Sequence, residues 1–133
     1  VNVKNVAVLS DKDAKQLNPI VLAFVGDAVH TLFVRQKLVL GSDAKAGELH
    51  KIASKSVCAT HQSRVADSIL PFLTEDESDI FKRARNAHTH SAAKNAQLGD
   101  YKKASGFEAV LGYLYLTGQE DRLAEIIEAG ENI

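Results

Sequence analysis

Residues 19–34 read PIVLAFVGDAVHTLFV and carry a single charged side chain, Asp27. The preceding Asn18 suits a helix N-cap, and Pro19 suits the first helical position, where its missing N–H group costs nothing. We therefore predict a helix over about residues 19–39. Because this helix is apolar on nearly all sides, we expect it to lie centrally in the core.

A second apolar stretch, GFEAVLGYLYL at residues 106–116, also holds one charged side chain, Glu108. Moving an ionised carboxylate out of water costs several kcal/mol unless a cation or hydrogen-bond donors meet it. Glycines lie close to both acids: Gly26 is beside Asp27, Gly106 is two residues before Glu108, and Gly112 is one turn after Glu108. A glycine inside a helix costs about 1 kcal/mol relative to alanine, a cost usually offset by close approach of another backbone or a ligand. We therefore expect the two helices to pack closely and to bring the acids together.

Two explanations account for such a pair of acids. They could share a divalent metal ion, since carboxylates and water are the ligands that Mg²⁺ prefers. They could also pair with cationic side chains of the same chain, such as Arg35, His30 or a lysine. The residues alone leave both explanations open.

The rest of the chain shows helical patterns and no sustained strand alternation. Thr74 and Glu77 have the spacing of a capping box, in which each side chain bonds to the other residue's backbone N–H group at the start of a helix. Residues 88–99 lack periodic apolar positions and are predicted to form a loop. The remaining helices are predicted at about residues 44–55, 57–69, 75–87, 100–116 and 120–128. The predicted fold class is all-α, a compact domain of about six helices.

Composition narrows the class of protein. The chain has 133 residues, of which 45% are hydrophobic and 25% charged, as expected for one soluble globular domain. No apolar run long enough to span a membrane and no secretion signal occur, so we expect a cytoplasmic protein. Cys58 is the only cysteine, which excludes an internal disulfide and a Cys-rich zinc site. P-loop and G-x-S-x-G motifs are absent.

The formal net charge of −1 hides a basic segment. Residues 82–103 contain six lysines and arginines against Asp100 alone. Such a strip on a nearly neutral protein is typical of a local anion-binding face. A solvated helix face followed by a loop would give the same pattern, and charge alone does not separate the two interpretations.

Three motifs resemble the nuclease domain of the ribonuclease III family. They are FVGDAVH at 24–30, RARNAHT at 83–89 and FEAVLGYLYL at 107–116, supported by LHKIAS at 49–54 and KNAQLGDYKKASGFEA at 94–109. The likeness is greatest to Mini-ribonuclease III, the bacterial form that lacks a double-stranded-RNA-binding domain. It covers about residues 17–128, so residues 1–133 are expected to form one nuclease domain with an N-terminal extension at 1–16.

The resemblance implies an endoribonuclease that cuts double-stranded RNA with Mg²⁺, for which Mn²⁺ would substitute, and leaves 5′-phosphates. It implies a homodimer that acts in maturation of large-subunit (23S) ribosomal RNA, with a ribosomal protein as a candidate partner that presents the substrate. Asp27 and Glu108 match the family's metal-binding aspartate and glutamate and would be catalytic. Classical members have further acids where this chain has Ala23 and Ser105. Water and RNA phosphates would therefore complete the metal's ligands, and affinity for the metal without RNA should be weak.

RNA contacts are expected from the basic segment, since no second domain is predicted. The candidates are Lys82, Arg83, Arg85, Asn86, Lys94 and Asn95. Apolar parts of the helices at 19–39 and 100–116 are expected to supply part of the dimer interface. The alternatives are a non-catalytic helical dimer that binds structured RNA, and a structural domain whose acids form buried salt bridges.

Overall fold

The computed structural model describes residues 8–87 and 97–131. Within these residues the chain forms seven α-helices, one 3₁₀ helix (Leu70–Phe72) and no strand, which confirms the all-α class. The α-helices are α1 (Asp11–Gln16), α2 (Pro19–Gly41), α3 (Ala46–Ser56), α4 (Ala59–Ile69), α5 (Glu75–Asn86), α6 (Gln97–Leu116) and α7 (Glu120–Glu131). In the described part of the chain, no helix combines the length and hydropathy that a membrane span requires.

Local signals set the ends of the main helices. The Asn18 side chain accepts a hydrogen bond from the Ile20 N–H group at 2.8 Å, and Pro19 begins α2 as predicted. Both bonds of the capping box are formed at α5, from the Thr74 backbone to the Glu77 carboxylate at 2.9 Å and from the Glu77 backbone to the Thr74 hydroxyl at 3.2 Å. Gly118, which follows α6, has a φ of +71°, a conformation that favours glycine.

Helix α6 occupies the centre of the core, where it packs against α2, α4 and α5. Its fully buried side chains include Phe107, Leu111 and Leu114. The expectation that the 19–39 helix lies centrally in the core holds for only one of its faces. One face of α2 is buried, but Phe24 is 79% exposed and Leu32 is 45% exposed on another face.

Two further differences from the sequence-based expectation concern the N-terminal extension and the start of α6. Helix α1 was not predicted, because its six residues include one buried position, Ala14, and therefore show no apolar periodicity. It is capped by the Ser10 side chain, which accepts from the Asp13 N–H group at 3.1 Å. Helix α6 begins at Gln97 rather than at residue 100. The rest of the predicted loop, residues 88–96, lies outside the described residues.

Candidate active site

Helices α2 and α6 approach each other through two glycines. A β-carbon added to Gly26 would overlap the backbone carbonyl of Glu108 and would lie 3.0 Å from the Gly112 nitrogen. One added to Gly112 would overlap the carbonyl of Leu22. The two backbones are therefore in contact at the positions of the candidate acids, which confirms the close approach inferred from Gly26 and Gly112. Gly106 instead faces the Phe81 ring of α5, so it has no part in the contact with α2.

This contact places the two acids side by side. The Glu108 carboxyl group on α6 lies within hydrogen-bonding reach of Asp27 on α2. Glu108 is half-buried, whereas Asp27 is exposed, so the expectation of two buried carboxylates is wrong for Asp27. Asp27 lies on the exposed side of α2, as Phe24 does. Because α2 is apolar on nearly all sides, its sequence does not show which side faces solvent.

The environment of Glu108 disfavours a second negative charge. Burial, followed by the proximity of Asp27, raises the pKa of Glu108 to about 9, while a hydrogen bond from Gln62 acts in the opposite direction. In residues 8–87 and 97–131, none of the ion pairs formed by lysine or arginine includes either acid. The pairing of these acids with a cationic side chain, which the sequence left open, is thus not found in the described structure.

Gln62 and His30 complete the surroundings of Glu108. The Gln62 amide nitrogen lies 3.0 Å from His30 Nδ1, and both side chains are buried. Burial lowers the pKa of His30 to about 4, an effect to which His61 adds and which Glu131 and Asp27 partly oppose. His30 is therefore neutral at neutral pH. Its ring meets the Phe107 ring edge to face, with 5.1 Å between centroids.

The donor set fits a hard divalent cation. Two adjacent carboxylates without a protein counter-charge are stabilised by a metal ion, and carboxylate oxygens with water suit Mg²⁺. Ala23 and Ser105 are buried and add no carboxylate. Over the described ranges, no group of three or more His, Cys, Asp or Glu side chains is arranged to hold a metal. Two protein ligands therefore leave most positions to water or substrate oxygens.

The basic residues expected to contact RNA differ in accessibility. Lys82 is exposed on α5. Arg83 is half-buried and donates to the Lys15 carbonyl at 3.0 Å, so part of its guanidinium group serves to attach α1 to α5. Arg85 donates to the Asn86 side chain at 3.3 Å. Lys94 and Asn95 lie outside the described residues.

An apolar pocket of about 360 Å³ adjoins Asp27. It lies between α2 and the end of α6, and its lining includes Phe24, Leu32 and Tyr115. The exposed face of α2 thus places an apolar pocket directly beside Asp27.

The sequence profile of the Ribonuclease III domain matches residues 20–119, a span that contains both acids and the α2–α6 contact. The chain belongs to the ribonuclease III family. Among its curated relatives, Mini-ribonuclease 3 of Brevibacillus brevis is 45% identical over 88% of this chain and 87% of the relative. Mini-ribonuclease 3 of Clostridium tetani is 42% identical over 92% and 82%, respectively.

A solved structure shares the helical fold of this chain. The crystal structure of a protein from Fusobacterium nucleatum superposes with a TM-score of 0.79 at 29% identity, covering 90% of this chain and 94% of that one. The family match and the similarity to Mini-ribonuclease 3 relatives confirm the resemblance inferred from the motifs. It also confirms the enzyme class, an endoribonuclease.

Gln62 was not singled out by sequence as part of this ribonuclease III site, and His30 was considered only as a possible cationic partner of the acids. A weak signal was present for Gln62, which lies at helical spacing from the buried Val65, Ala66 and Ile69 and thus places an amide in an apolar stripe. The pairing with His30 joins residues 32 positions apart and leaves no local pattern.

Proposed function

We propose that this endoribonuclease cuts double-stranded RNA in a reaction that depends on Mg²⁺ held by Asp27 and Glu108. The observation that carries the proposal is the contact between these two carboxyl groups, which lack a cationic partner among the described side chains. Enzymes of this family generally use divalent metals and act on double-stranded RNA, which supports the assignment. Mn²⁺ has similar ligand preferences and would substitute.

The chain's own residues hold the acids in place. Gly26 and Gly112 set the distance between α2 and α6, and Glu108 is further oriented from the protein side by Gln62. A bound Mg²⁺ would supply a Lewis acid for the scissile phosphate and would lower the pKa of a water molecule for attack on phosphorus. Release of the Glu108 proton accompanies occupation of the site, since a carboxyl group binds a metal in its ionised form. The products would carry 5′-phosphates.

The exposed face of α2 is the proposed dimer interface. Phe24, Val21 and Leu32 are large apolar side chains that are between 45% and 79% exposed, and they lie on the helix that carries Asp27. Burial of apolar surface contributes about 2.5 kcal/mol per 100 Å², before the entropy cost of association is subtracted, so covering this face favours self-association. Helix α6 contributes less than expected from sequence, because most of its apolar side chains are already buried within one protomer. A two-fold dimer would present one acid pair to each strand of a duplex.

RNA binding is assigned to the basic residues of α5 and of the segment that follows it. Lys82 and Asn86 are exposed, whereas Arg83 and Arg85 are half-buried, and Arg83 is partly engaged by Lys15. The proposed contacts of Lys94 and Asn95 remain predictions. Duplex RNA is recognised mainly through its shape, phosphates and 2′-hydroxyls, so little base specificity is expected.

The proposed physiological substrate is the precursor of large-subunit (23S) ribosomal RNA in the cytoplasm, with a ribosomal protein as the candidate that presents the cleavage site. A precursor RNA with a duplex at its cleavage site would suit an enzyme that reads duplex shape. The assignment to this RNA rests on the likeness to Mini-ribonuclease 3 relatives.

The experiment compares cleavage of a labelled RNA duplex with that of its separated strands, in Mg²⁺ and in excess chelator. We expect cuts in the duplex in Mg²⁺, with 5′-phosphates at the new ends, and none in chelator. Binding without cleavage in Mg²⁺ and Mn²⁺ would instead favour the non-catalytic RNA-binding dimer.

A further inference from the structure

Gln62 is a buried amide that links three helices at the acid pair. Its side chain on α4 is 2% exposed, and its nitrogen lies 3.0 Å from His30 Nδ1 on α2. The same side chain also lies close enough to Glu108 on α6 to interact with its carboxyl group. The amide thus lies between a buried imidazole and one of the two candidate metal ligands.

The direction of both hydrogen bonds follows from the chemistry of the partners. His30 is neutral, so its Nδ1 lone pair accepts a hydrogen from the Gln62 NH₂ group. An amide NH₂ group carries two hydrogens, and the second can be donated to a carboxylate. An ionised carboxylate has only acceptor oxygens, so the Gln62 amide meets Glu108 as a donor.

The imidazole that orients this amide is itself held in place. The His30 ring packs edge to face with the ring of Phe107, the residue that immediately precedes Glu108, at an interplanar angle of 88°. His30 therefore fixes the rotation of the Gln62 amide, and one of its hydrogens is directed at the Glu108 carboxylate.

We propose that Gln62 is a positioning residue that holds the Glu108 carboxylate in the orientation in which it binds a divalent cation together with Asp27, an inference that rests on the proposed function. Orientation matters strongly at this site, because it has two carboxylate ligands and Ala23 and Ser105 in place of further acids. Groups that hydrogen-bond to a metal ligand typically change metal affinity or activity by about 10- to 100-fold when removed.

The test uses Gln62→Met, which keeps the length of the side chain and removes both amide hydrogens. Its control is Val65→Ala, which loosens packing in the same buried stripe of α4 without removing a donor. The affinity for Mg²⁺ without RNA is measured by NMR titration of backbone amide signals. We expect Gln62→Met to weaken Mg²⁺ binding by about 10- to 100-fold, and Val65→Ala to change it by less than about two-fold.

Cleavage supplies a second measurement that separates positioning from folding. In Gln62→Met the Mg²⁺ concentration that gives half-maximal cleavage should rise by a similar factor, whereas the KM for duplex RNA should stay unchanged. Excess Mg²⁺ should restore most of the rate. Unchanged Mg²⁺ affinity in Gln62→Met, or an equal loss in Val65→Ala, would overturn the inference.

The wild-type protein provides a test that does not depend on how the variant folds. The side-chain NH₂ signals of Gln62 should shift as Mg²⁺ saturates the site, and they should not shift in Glu108→Gln. Unmoved Gln62 side-chain signals at saturating Mg²⁺ would overturn the positioning role. If Glu108→Gln binds Mg²⁺ and cleaves RNA like the wild type, the proposed function fails instead.

Discussion

The backbone of Gly26 lies directly against the backbone carbonyl of Glu108, so the two acids of the site are brought together by a contact between main chains. Asp27 adjoins Gly26 in sequence, and Glu108 is the other side of the contact. The distance between the carboxyl groups therefore depends on the absence of a side chain at position 26. The packing of α2 on α6 and the proximity of the acids both follow from this contact. The proximity of Asp27 then adds to burial in raising the pKa of Glu108.

Gly26→Ala should destabilise the protein and separate the acids. A β-carbon there would overlap the Glu108 carbonyl, and such overpacking costs about 1–3 kcal/mol or more in the free energy of unfolding. Gly47→Ala is the matched control, because a β-carbon on that helical glycine meets nothing within 4 Å and should stabilise α3 by up to about 1 kcal/mol. Urea denaturation of both variants measures the difference, and equal stability of the two would contradict the close packing.

The stability of the metal-free protein should fall as pH rises. The pKa of Glu108 is raised to about 9 in the folded state, so the folded chain binds a proton that the unfolded chain releases near the ordinary value of 4.5. The stabilisation that the Glu108 proton contributes is complete below pH 4.5 and is lost as pH rises through about 9. Between pH 7 and 9, where His30 is already neutral, wild type should lose stability relative to Glu108→Gln.

Mg²⁺ should counteract this pH-dependent loss, since the cation takes the place of the proton between the two acids. Thermal unfolding of the wild type and Glu108→Gln at several pH values, with chelator and with Mg²⁺, provides the measurement. If both proteins show the same dependence on pH in chelator, Glu108 does not carry the raised pKa.

Charge reversal on α5 should weaken RNA binding in a salt-dependent manner. Lys82→Glu and Arg85→Glu each remove a proposed phosphate contact, and the slope of log affinity against log salt should become shallower by about 1 for each lost contact. Lys37→Glu is the charge-matched control, because Lys37 lies in the C-terminal part of α2 and pairs with Glu131 of α7. Binding of duplex RNA should be measured in Ca²⁺ or chelator, so that cleavage does not intervene. Affinities that fall equally in all three variants would show a general effect of net charge.

Dimerisation should depend on the exposed face of α2. Phe24→Ser removes a side chain that is 79% exposed in one protomer, and it should shift the protein from dimer to monomer in sedimentation equilibrium. Phe72→Ser alters a similarly exposed phenylalanine, 67% exposed on the 3₁₀ helix, and should leave the dimer intact. A monomeric wild type, or a dimer that survives Phe24→Ser, would show that the interface lies elsewhere.

Local sequence signals predicted six of the seven α-helices in the described residues and one feature of the site. Asn18 with Pro19, and Thr74 with Glu77, marked helix starts because capping is a property of a few consecutive residues. The glycines near Asp27 and Glu108 indicated the close approach of α2 and α6, because a glycine inside a helix has a cost that packing must offset.

Features that depend on tertiary contacts could not be predicted from local sequence patterns. The exposure of Asp27 depends on which side of an apolar helix is left uncovered by α6. The approach of Gln62 to Glu108 depends on the placement of α4, which no pattern around either residue encodes. Helix α1 was missed because it is short and is held by contacts such as the ion pair between Lys15 and Asp76.

The central claim is that Asp27 and Glu108 together bind the metal that cleavage requires. Its most direct test is cleavage of duplex RNA in Mg²⁺ by Asp27→Asn and Glu108→Gln, beside Asp121→Asn and Glu128→Gln, which alter exposed acids of α7. We expect each substitution at the acid pair to lower the rate by at least about 100-fold, as loss of an electrostatic contact to the transition state does, while RNA is still bound. The α7 variants should cleave like the wild type. Wild-type rates in both Asp27→Asn and Glu108→Gln would contradict the account.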